Sequence, residues 1–350
     1  MVQGSSDDTL VEQLQVIDDP ARGALGVIAI HSTALGPAAG GCRFWHYASS
    51  ADAATDAMRL ARGMSYKNAM AGLPFGGGKA VLQKPAGEFD RKALFEAFAD
   101  VVESMSGTYV TAEDVGTSVE DMHVVAHRTR HVAGLTRRPG FAGGDPSPWT
   151  ALGIFKSMQA AARVSLGRDL DRLTVAVQGV GHVGAELCAL LNEAGAKLIV
   201  TDVHAAQAKA VSDAFGARVV PVDEILGVEA DVLAPCAMGA VLNARTIAGL
   251  KVALVCGGAN NQLAMEEDGL ALFQRGIAYA PDYVVNAGGI INVAAEYLRE
   301  SVEQVEQRIE TIPQRVEDIL RRAAQEGRSS HLVADEMARG LMAAAQRVPA

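Results

Sequence analysis

Two lysines and an aspartate are the residues of this sequence whose surroundings favour proton chemistry. Lys67 falls on the apolar stripe of a predicted helix, three residues after Met64, where a lysine is costly unless an anion meets it. Lys79 ends a run of three glycines, which remove side-chain bulk around its amine. Asp114 follows a predicted strand at its carboxyl end, where ligand sites of open α/β sheets tend to lie. Two amines and one carboxylate suit an anionic substrate whose protons are transferred.

Each of these three residues also has an ordinary structural explanation. Lys67 could carry its ammonium group back to solvent, Lys79 could lie in an exposed loop, and Asp114 could cap a turn. None of them identifies an active site when it is taken alone.

A glycine-rich segment gives the second chemical signal. It follows the strand-like run 174–178 and opens a helical stretch that ends near Ala194, so its glycines suit a tight turn and a close approach to pyrophosphate at a helix N-terminus. Asp202 ends the next predicted strand, where a carboxylate accepts ribose hydroxyls and repels a 2′-phosphate. The pattern predicts NAD rather than NADP, and the alternative is a turn whose glycines serve packing only. The predicted cofactor loop consists of Gly179, Val180, Gly181, His182, Val183 and Gly184.

The elements that must position these residues follow two patterns. From residue 173 onward, short β-branched runs alternate with helical segments, which predicts a doubly wound parallel sheet with helices on both faces. These runs are residues 173–178, 197–202, 217–220, 231–234, 251–256 and 277–280. The upstream part has a different order and predicts a separate α/β domain. It contains a strand at 25–30, a Gly/Pro-rich turn at 36–41, a helix from about 52 to 71, and strands near 80–83 and 109–112.

We therefore expect an α/β protein of two domains with a cleft between them. Residues 1–135 would bind substrate and support oligomerisation, and residues 136–329 would form a Rossmann-type NAD domain. The segment 141–149, rich in glycine and proline, is the predicted first crossing between them. The tail 301–346 has apolar residues at helical spacing and should pack on the first domain or the cleft rim, with a helix at about 330–350 returning to the first domain.

Composition narrows the classes of partner. The chain carries 31 Lys plus Arg against 41 Asp plus Glu, a formal charge of −10, which argues against nucleic acid and membrane partners. It has neither a secretory leader pattern nor the run of about 18 apolar residues that a membrane span needs, so we expect a cytoplasmic location. The scattered cysteines favour reduced thiols and predict no metal site. They are Cys42, Cys188, Cys236 and Cys256.

Seven segments resemble the amino acid dehydrogenase superfamily, which acts on glutamate, leucine, phenylalanine or valine, and the leucine dehydrogenases most of all. They follow the family order along nearly the whole chain. The segments are residues 64–69, 73–79, 111–117, 146–148, 235–239, 258–261 and 280–293. One departure is Gly184, where leucine dehydrogenases often carry alanine, and cofactor binding should survive it.

The resemblance implies a role for each matching residue. Lys67 and Asn260 would hold the substrate carboxylate, Lys79 would be the catalytic lysine, and Asp114 would handle protons at the substrate nitrogen. The other substrate-pocket residues would be Gly40, Ala39, Met64 and Val293. Besides the glycine loop and Asp202, the cofactor would contact Ser147, Thr150, Cys236, Ala237, Asn260 and Asn286.

Two pocket positions bear on the substrate side chain. The related glutamate dehydrogenases carry a lysine at the position of Ala39 and a serine at that of Val293, and these receive the distal carboxylate. Here that carboxylate would be buried without a partner, so glutamate should be rejected. The resemblance thus implies reversible, NAD-dependent oxidative deamination of an apolar L-amino acid to the 2-oxo acid and ammonia.

Several alternatives remain open at this point. Leucine ranks first as substrate, with phenylalanine and valine as rivals, and the enzyme should be a homo-oligomer: a dimer, tetramer or octamer. The alternative from another class is a catalytically silent NAD-binding protein. Retention of Lys67, Lys79 and Asp114 together argues against silence.

Overall fold

The computed structural model describes residues 10–137 and 140–347, and the contacts of the chain divide it into two compact units. The first unit runs up to Gly144 and includes Val293–Gln304 and the segment from Ala338 onward. The second unit comprises Asp145–Asn292 and Val305–Met337. These limits differ from the predicted ones because two segments of the first unit are tied together. The backbone N–H of Ala142 donates to Glu300 O at 2.9 Å, and that of Leu135 donates to Glu296 Oε1 at 3.0 Å.

A mixed sheet forms the centre of the first unit. Its strands are β1 (Gln13–Asp19), β2 (Ala24–Ser32), β3 (Ala38–Ala39), β4 (Cys42–Trp45), β5 (Gly76–Gln83) and β6 (Tyr109–Val110). Strand β2 pairs antiparallel with both β1 and β5, whereas β3 and β4 pair parallel with the other edge of β5. Strand β6 continues the sheet beyond β3. Strand β5 therefore lies between neighbours on both sides, and its residues up to Leu82 are buried.

Helices cover both faces of this sheet: α1 (Ser50–Met70), α2 (Arg91–Ser104) and α3 (Val119–Ala126). Helix α1 begins after Ser49, whose side chain accepts the N–H of Asp52. Small residues on its buried face, among them Ala57 and Ala61, let it lie close against β2 and β5. Phenylalanines of β4 and α2 fill the other face. The predicted helix at about 52–71 is confirmed.

The three glycines before Lys79 lie inside β5, whereas the sequence places the strand only from residue 80. A Cβ on Gly76 would lie 1.9 Å from Ser32 O, one on Gly77 2.1 Å from Ser65 N, and one on Gly78 2.9 Å from the Tyr109 ring. Strand β5 therefore requires glycine so that its neighbours can pack against it. The alternative in which Lys79 sits in an exposed loop is wrong.

The second unit contains a fully parallel sheet in the order β12-β11-β10-β7-β8-β9. The strands are β7 (Thr174–Gln178), β8 (Lys197–Thr201), β9 (Arg218–Val219), β10 (Val232–Pro235), β11 (Leu254–Val255) and β12 (Ala278–Tyr279). Its helices are α4 (Ser147–Leu166), α5 (His182–Glu193), α6 (Ala205–Phe215), α7 (Ala244–Gly249) and α8 (Glu266–Gln274). The prediction of an α/β fold with a doubly wound parallel sheet is confirmed. The strand order reverses between β7 and β10, which is where such sheets bind ligands.

The remaining helices are α9 (Asp282–Val285), α10 (Gly288–Leu298), α11 (Val302–Ile309), α12 (Thr311–Glu326) and α13 (Ser330–Gln346). Helix α12 packs on α4 within the second unit. Its buried stripe includes Ile312, whose Cδ1 lies 3.1 Å from the position of a Cβ on Gly153 of α4. In the described residues, the helices are too short or too polar to span a bilayer.

Candidate active site

A buried ion pair joins two of the residues that the sequence singles out. Lys79 is 5% exposed in β5, and its Nζ lies 2.9 Å from Oδ2 of Asp114. Strand β4 pairs with β5 next to Lys79, and a bridge between Cys42 and Glu113 brings the chain before Asp114 against β4. Sheet pairing thus brings together two charges that are 35 positions apart in the sequence.

The turn that carries Asp114 is fixed by its own hydrogen bonds. The N–H of Asp114 donates to the Thr117 hydroxyl at 2.8 Å, and that hydroxyl donates to Cys42 O at 3.1 Å. Gly116 has a φ of 86°, and a Cβ there would lie 2.0 Å from Phe44 O. The carboxylate is therefore held in place before any substrate arrives.

Arg43 supplies a second cation to the same carboxylate. Its Nε donates to Oδ2 of Asp114 at 3.1 Å, and its Nη1 donates to Oδ2 of Asp56 at 2.9 Å. The Tyr47 hydroxyl donates to that Asp56 oxygen at 2.7 Å. Asp56 lies on α1, so this chain of contacts links the helix to the Lys79 strand.

Burial and charge act in opposite directions on the two central groups. Burial lowers the pKa of Lys79, and the nearby Asp114 carboxylate raises it only in part, so the net direction is downward. Burial would raise the pKa of Asp114, but Lys79 and Arg43 outweigh it and the net direction is again downward. The arrangement favours a lysine that loses its proton readily beside an aspartate that stays anionic.

Two of the residues predicted to line the substrate pocket, Ala39 and Gly40, pack against the strand that carries Lys79. Ala39 in β3 pairs with Gly77, two residues before Lys79. A Cβ on Gly40 would lie 1.9 Å from Gly78 O and 3.1 Å from Cγ of Met64. The close approach of these backbones explains why Gly40 is a glycine.

Lys67 lies at the margin of the buried face of α1 rather than fully inside it. It is partly exposed and shares its side of the helix with Met64, which is also partly exposed. The adjacent Asn68 is fully buried and donates from Nδ2 to Gly76 O at 2.6 Å. This bond fastens the last turn of α1 to β5. Two other predicted substrate residues are separate in the sequence: Val293 lies partly buried on α10, and Asn260 lies in the second unit.

In the second unit, the glycine loop joins β7 to α5 as predicted. Gly179 has a φ of 89°, and a Cβ on Gly184 would lie 2.0 Å from Gly179 O. A Cβ on Gly181, in contrast, would meet nothing within 4 Å. The Val180 N–H donates to Oδ2 of Asp202 at 2.8 Å. The open space at Gly181, at the N-terminus of α5, fits a diphosphate.

Of the other predicted cofactor residues, one pair lies beside the glycine loop and another pair is joined by a hydrogen bond. Ala237 packs on Gly179, where an added Cβ would lie 2.6 Å from that of Ala237, and Cys236 lies beside Gly184. Asn286 donates from Nδ2 to Oδ1 of Asn260 at 2.8 Å. The Oδ1 of Asn286 is buried and lacks a hydrogen-bond partner within residues 10–137 and 140–347. Such an acceptor fits a ligand that brings an amide donor.

Near Asn286, the start of α10 lies against the start of α4. A Cβ on Gly288 would lie 2.0 Å from Trp149 O, and one on Gly289 2.6 Å from the Thr150 hydroxyl. Ser147 and Thr150 occupy the first turn of α4 and are partly exposed. The structure thus brings both residues to the part of the second unit that contains Asn286.

Known sequence families match the chain over most of its length. The dimerisation domain of the Glu/Leu/Phe/Val dehydrogenases matches residues 12–131, and the Glutamate/Leucine/Phenylalanine/Valine dehydrogenase family matches residues 200–348. The chain belongs to the Glu/Leu/Phe/Val dehydrogenase family. It is therefore an amino acid dehydrogenase, and membership implies a nicotinamide cofactor.

Individual relatives of this dehydrogenase cover nearly its full length. A leucine dehydrogenase of Thermoactinomyces intermedius is 48% identical over 93% of this chain and 89% of its own. A valine dehydrogenase of Streptomyces coelicolor is 44% identical over 98% and 95%. The crystal structure of an L-tryptophan dehydrogenase from Nostoc punctiforme matches with a TM-score of 0.87 and 36% identity over 97% of this chain and 98% of that one. The resemblance indicated by the motifs is confirmed.

Sequence analysis of this dehydrogenase missed Arg43, Asp56 and Thr117 as members of the site. One signal could have found Asp56: it lies eleven residues before Lys67, and eleven residues at about 100° each bring a helix back to nearly the same side. Arg43 lies between Cys42 and Phe44 in a short strand, where alternate side chains face opposite ways. Its partners come from other segments and are visible only in three dimensions.

Proposed function

We propose that this dehydrogenase catalyses the NAD-dependent oxidative deamination of an apolar L-amino acid to its 2-oxo acid and ammonia, and the reverse reductive amination. The observation that carries the proposal is the buried contact of 2.9 Å between Lys79 and Asp114. A general base with a lowered pKa beside an aspartate that is anionic before the reaction suits a process in which both nitrogen and water must be deprotonated.

Asp114 acts on the substrate nitrogen in this proposal. It accepts a proton from the substrate ammonium, so that the nitrogen lone pair is available as the iminium forms. When bound, the nicotinamide takes the hydride that leaves Cα. Neutral Lys79 then takes a proton from water as the water oxygen bonds to the iminium carbon. Asp114 returns its proton to the nitrogen, the C–N bond breaks, and the remaining hydroxyl proton leaves with ammonia as ammonium. Lys79 then releases to solvent the proton that it took from water, which is the net proton of the reaction.

NAD is the proposed dinucleotide because of Asp202. Its carboxylate already accepts the Val180 N–H of the glycine loop, so it is fixed where the adenosine ribose of a bound dinucleotide would lie. A 2′-phosphate there would meet a negative charge. The space at Gly181 supports binding of the diphosphate. The Oδ1 of Asn286, which has no hydrogen-bond partner among the described residues, supports binding of the nicotinamide amide.

The pocket residues support an uncharged substrate side chain. Lys67, with Asn260 as its proposed partner, binds the substrate carboxylate. Ala39 and Val293 offer neither a cation nor a hydroxyl to a second carboxylate, and an unpaired buried charge is costly. Relatives with 44–48% identity act, by their names, on valine and leucine. We rank leucine first, with valine and phenylalanine as the alternatives.

The proposal includes self-association. The family domain that matches residues 12–131 is described as a dimerisation domain, and we propose a homo-oligomer of this chain. The partners are then small molecules only: the amino acid, its 2-oxo acid and ammonia.

A substrate panel tests the proposed function. Catalytic efficiency is measured from NADH absorbance with glutamate, leucine, valine and phenylalanine. We expect leucine to rank first and glutamate last; one methylene changes discrimination by about 1–3 kcal/mol, so activities on the apolar substrates should overlap. Glutamate in first place contradicts the pocket argument, and phenylalanine ahead of leucine by about tenfold (about 1.4 kcal/mol) contradicts the ranking alone. No reduction of NAD with any of them means a silent NAD-binding protein.

A further inference from the structure

Arg43 bridges two carboxylates that come from different elements. It reaches Asp114 at 3.1 Å and Asp56 at 2.9 Å, and the side chains of Arg43, Asp56 and Asp114 are 21%, 17% and 23% exposed. Arg59 also reaches Asp56, through Oδ1 at 3.1 Å. Asp56 thus binds Arg43 through one oxygen and Arg59 through the other. If Arg43 moved away from Asp114, its contact with Asp56 would also be disturbed.

Both cations approach the same atom of Asp114. Lys79 Nζ lies 2.9 Å and Arg43 Nε 3.1 Å from Oδ2. That leaves the other oxygen, Oδ1, to interact with the substrate nitrogen. Arg43 reaches Asp114 through one donor, Nε, and its planar guanidinium is held by the bond from Nη1 to Asp56, so this donor is more rigid and directional than a lysine amine.

In the proposed reaction, one of these two groups, Lys79, carries a positive charge for only part of the cycle. Lys79 must already be neutral when the substrate binds, because it later takes a proton from water. At that stage Asp114 has yet to accept the ammonium proton and has lost one of its counter-charges. A partly buried carboxylate without a counter-charge takes up a proton. A guanidinium does not titrate in proteins and keeps its charge throughout.

We propose that Arg43, anchored by Asp56, is a positioning residue for the deamination reaction: it fixes Oδ2 of Asp114 and keeps that carboxylate anionic while Lys79 is neutral. This inference rests on the proposed function and deepens it. Arg43 touches neither substrate nor cofactor in this account and acts only through Asp114 and Lys79.

The remaining titratable groups around Asp114 do not replace Arg43. Cys42 from β4 and Tyr109 from β6 are buried, and burial raises the pKa of each, so that both stay neutral at working pH. Asp121 and Arg91, further along α3 and α2, pair with each other at 2.7 Å. Lys79 and Arg43 therefore form the ion pairs that lower the pKa of Asp114.

The sign of the expected pH effect follows from the two pKa directions. Arg43 lowers the pKa of Asp114 and also that of Lys79. Its removal raises both, so the rising limb of kcat against pH for oxidative deamination moves to higher pH whichever group sets it. We expect Arg43→Met to move this limb by about 1 pH unit or more and to lower kcat roughly 10- to 100-fold at neutral pH.

Two further variants and a matched control separate positioning from folding. Arg43→Lys keeps the charge. Its rising limb should therefore lie close to the pH of the wild-type limb, while kcat stays low. Asp56→Asn leaves Arg43 charged but without its anchor, and should lower kcat with a smaller shift of the limb. The control is Arg22→Met, which removes another arginine that bridges two carboxylates: its ion pairs are with Asp19 at 2.7 Å and Asp100 at 2.8 Å, not with Asp114. It should lower the melting temperature and leave the limb in place.

A titration of Asp114 in the absence of turnover completes the test. The pKa of Asp114 is measured by carboxyl-carbon NMR in the full-length wild type and in Arg43→Met, and should be higher in the variant. An unchanged pKa of Asp114, an unchanged limb in both Arg43→Met and Asp56→Asn, or the same shift of the limb in Arg22→Met overturns the inference. A wild type that oxidises no amino acid overturns the proposed function instead, and the NMR titration still decides whether Arg43 keeps Asp114 anionic.

Discussion

The charge cluster of the first unit, formed by Arg43, Asp56, Lys79 and Asp114, and the glycine loop of the second unit are built in different ways. The cluster buries Lys79 and holds it 2.9 Å from Asp114 through side chains drawn from three segments of the chain. The loop is one continuous run of residues that works through backbone atoms and empty space, with a single carboxylate, Asp202, bound to it. The difference indicates a division of labour: coupled side chains perform proton transfer, and local backbone geometry binds the cofactor.

The largest effect should come from removing the amine of the cluster. Lys79→Ala should reduce kcat by roughly 100- to 10,000-fold, since general acid–base groups contribute that much. NAD affinity, measured by titration calorimetry, should change little because the loop is untouched. Lys92→Ala, at a lysine whose side chain is 74% exposed, is the matched control and should keep full activity. More than a tenth of wild-type activity in Lys79→Ala would remove this lysine from the mechanism.

Asp202→Ala should show the reverse pattern, with a loss in cofactor selectivity and a nearly constant kcat at saturating NAD. The ratio of catalytic efficiencies for NAD over NADP should fall roughly 10- to 100-fold, as expected when a charged hydrogen-bond partner is lost. Steady-state kinetics with both cofactors measures this ratio. If the wild type uses NAD and NADP equally well, the ribose contact has been assigned to the wrong residue.

A smaller effect should distinguish two glycines of the same loop. Gly179→Ala places a Cβ 2.6 Å from that of Ala237 at a φ of 89° and should lower the free energy of unfolding by about 1–3 kcal/mol. Gly181→Ala meets no atom within 4 Å, so stability should stay within about 0.5 kcal/mol while NAD binding weakens. Chemical denaturation and NAD titration on both variants test this. Equal effects of the two substitutions on stability and on binding would contradict the separate roles of the glycines.

The contrast between the charge cluster and the glycine loop also explains which parts of the fold and the site the sequence could predict. The loop, Asp202 and the parallel strands are local patterns, and the family motifs point to Lys67, Lys79 and Asp114. The role of Arg43 depends on pairing between β4, β5 and the turn after β6, and no local pattern encodes it. The glycines before Lys79 look like a loop because glycine is rare in strands, whereas their purpose is close packing against Ser65 and Tyr109. For α12, the apolar spacing predicts a helix but does not identify the surface on which it packs.

The most direct test of the central claim is the stoichiometry of the products formed from leucine and NAD. NADH, ammonia and the 2-oxo acid are quantified in the same reaction, with Lys79→Ala as the inactive reference. The account predicts equal molar amounts of the three products, all absent with the variant. NADH without ammonia, or the same product yields from Lys79→Ala, would contradict oxidative deamination at this site.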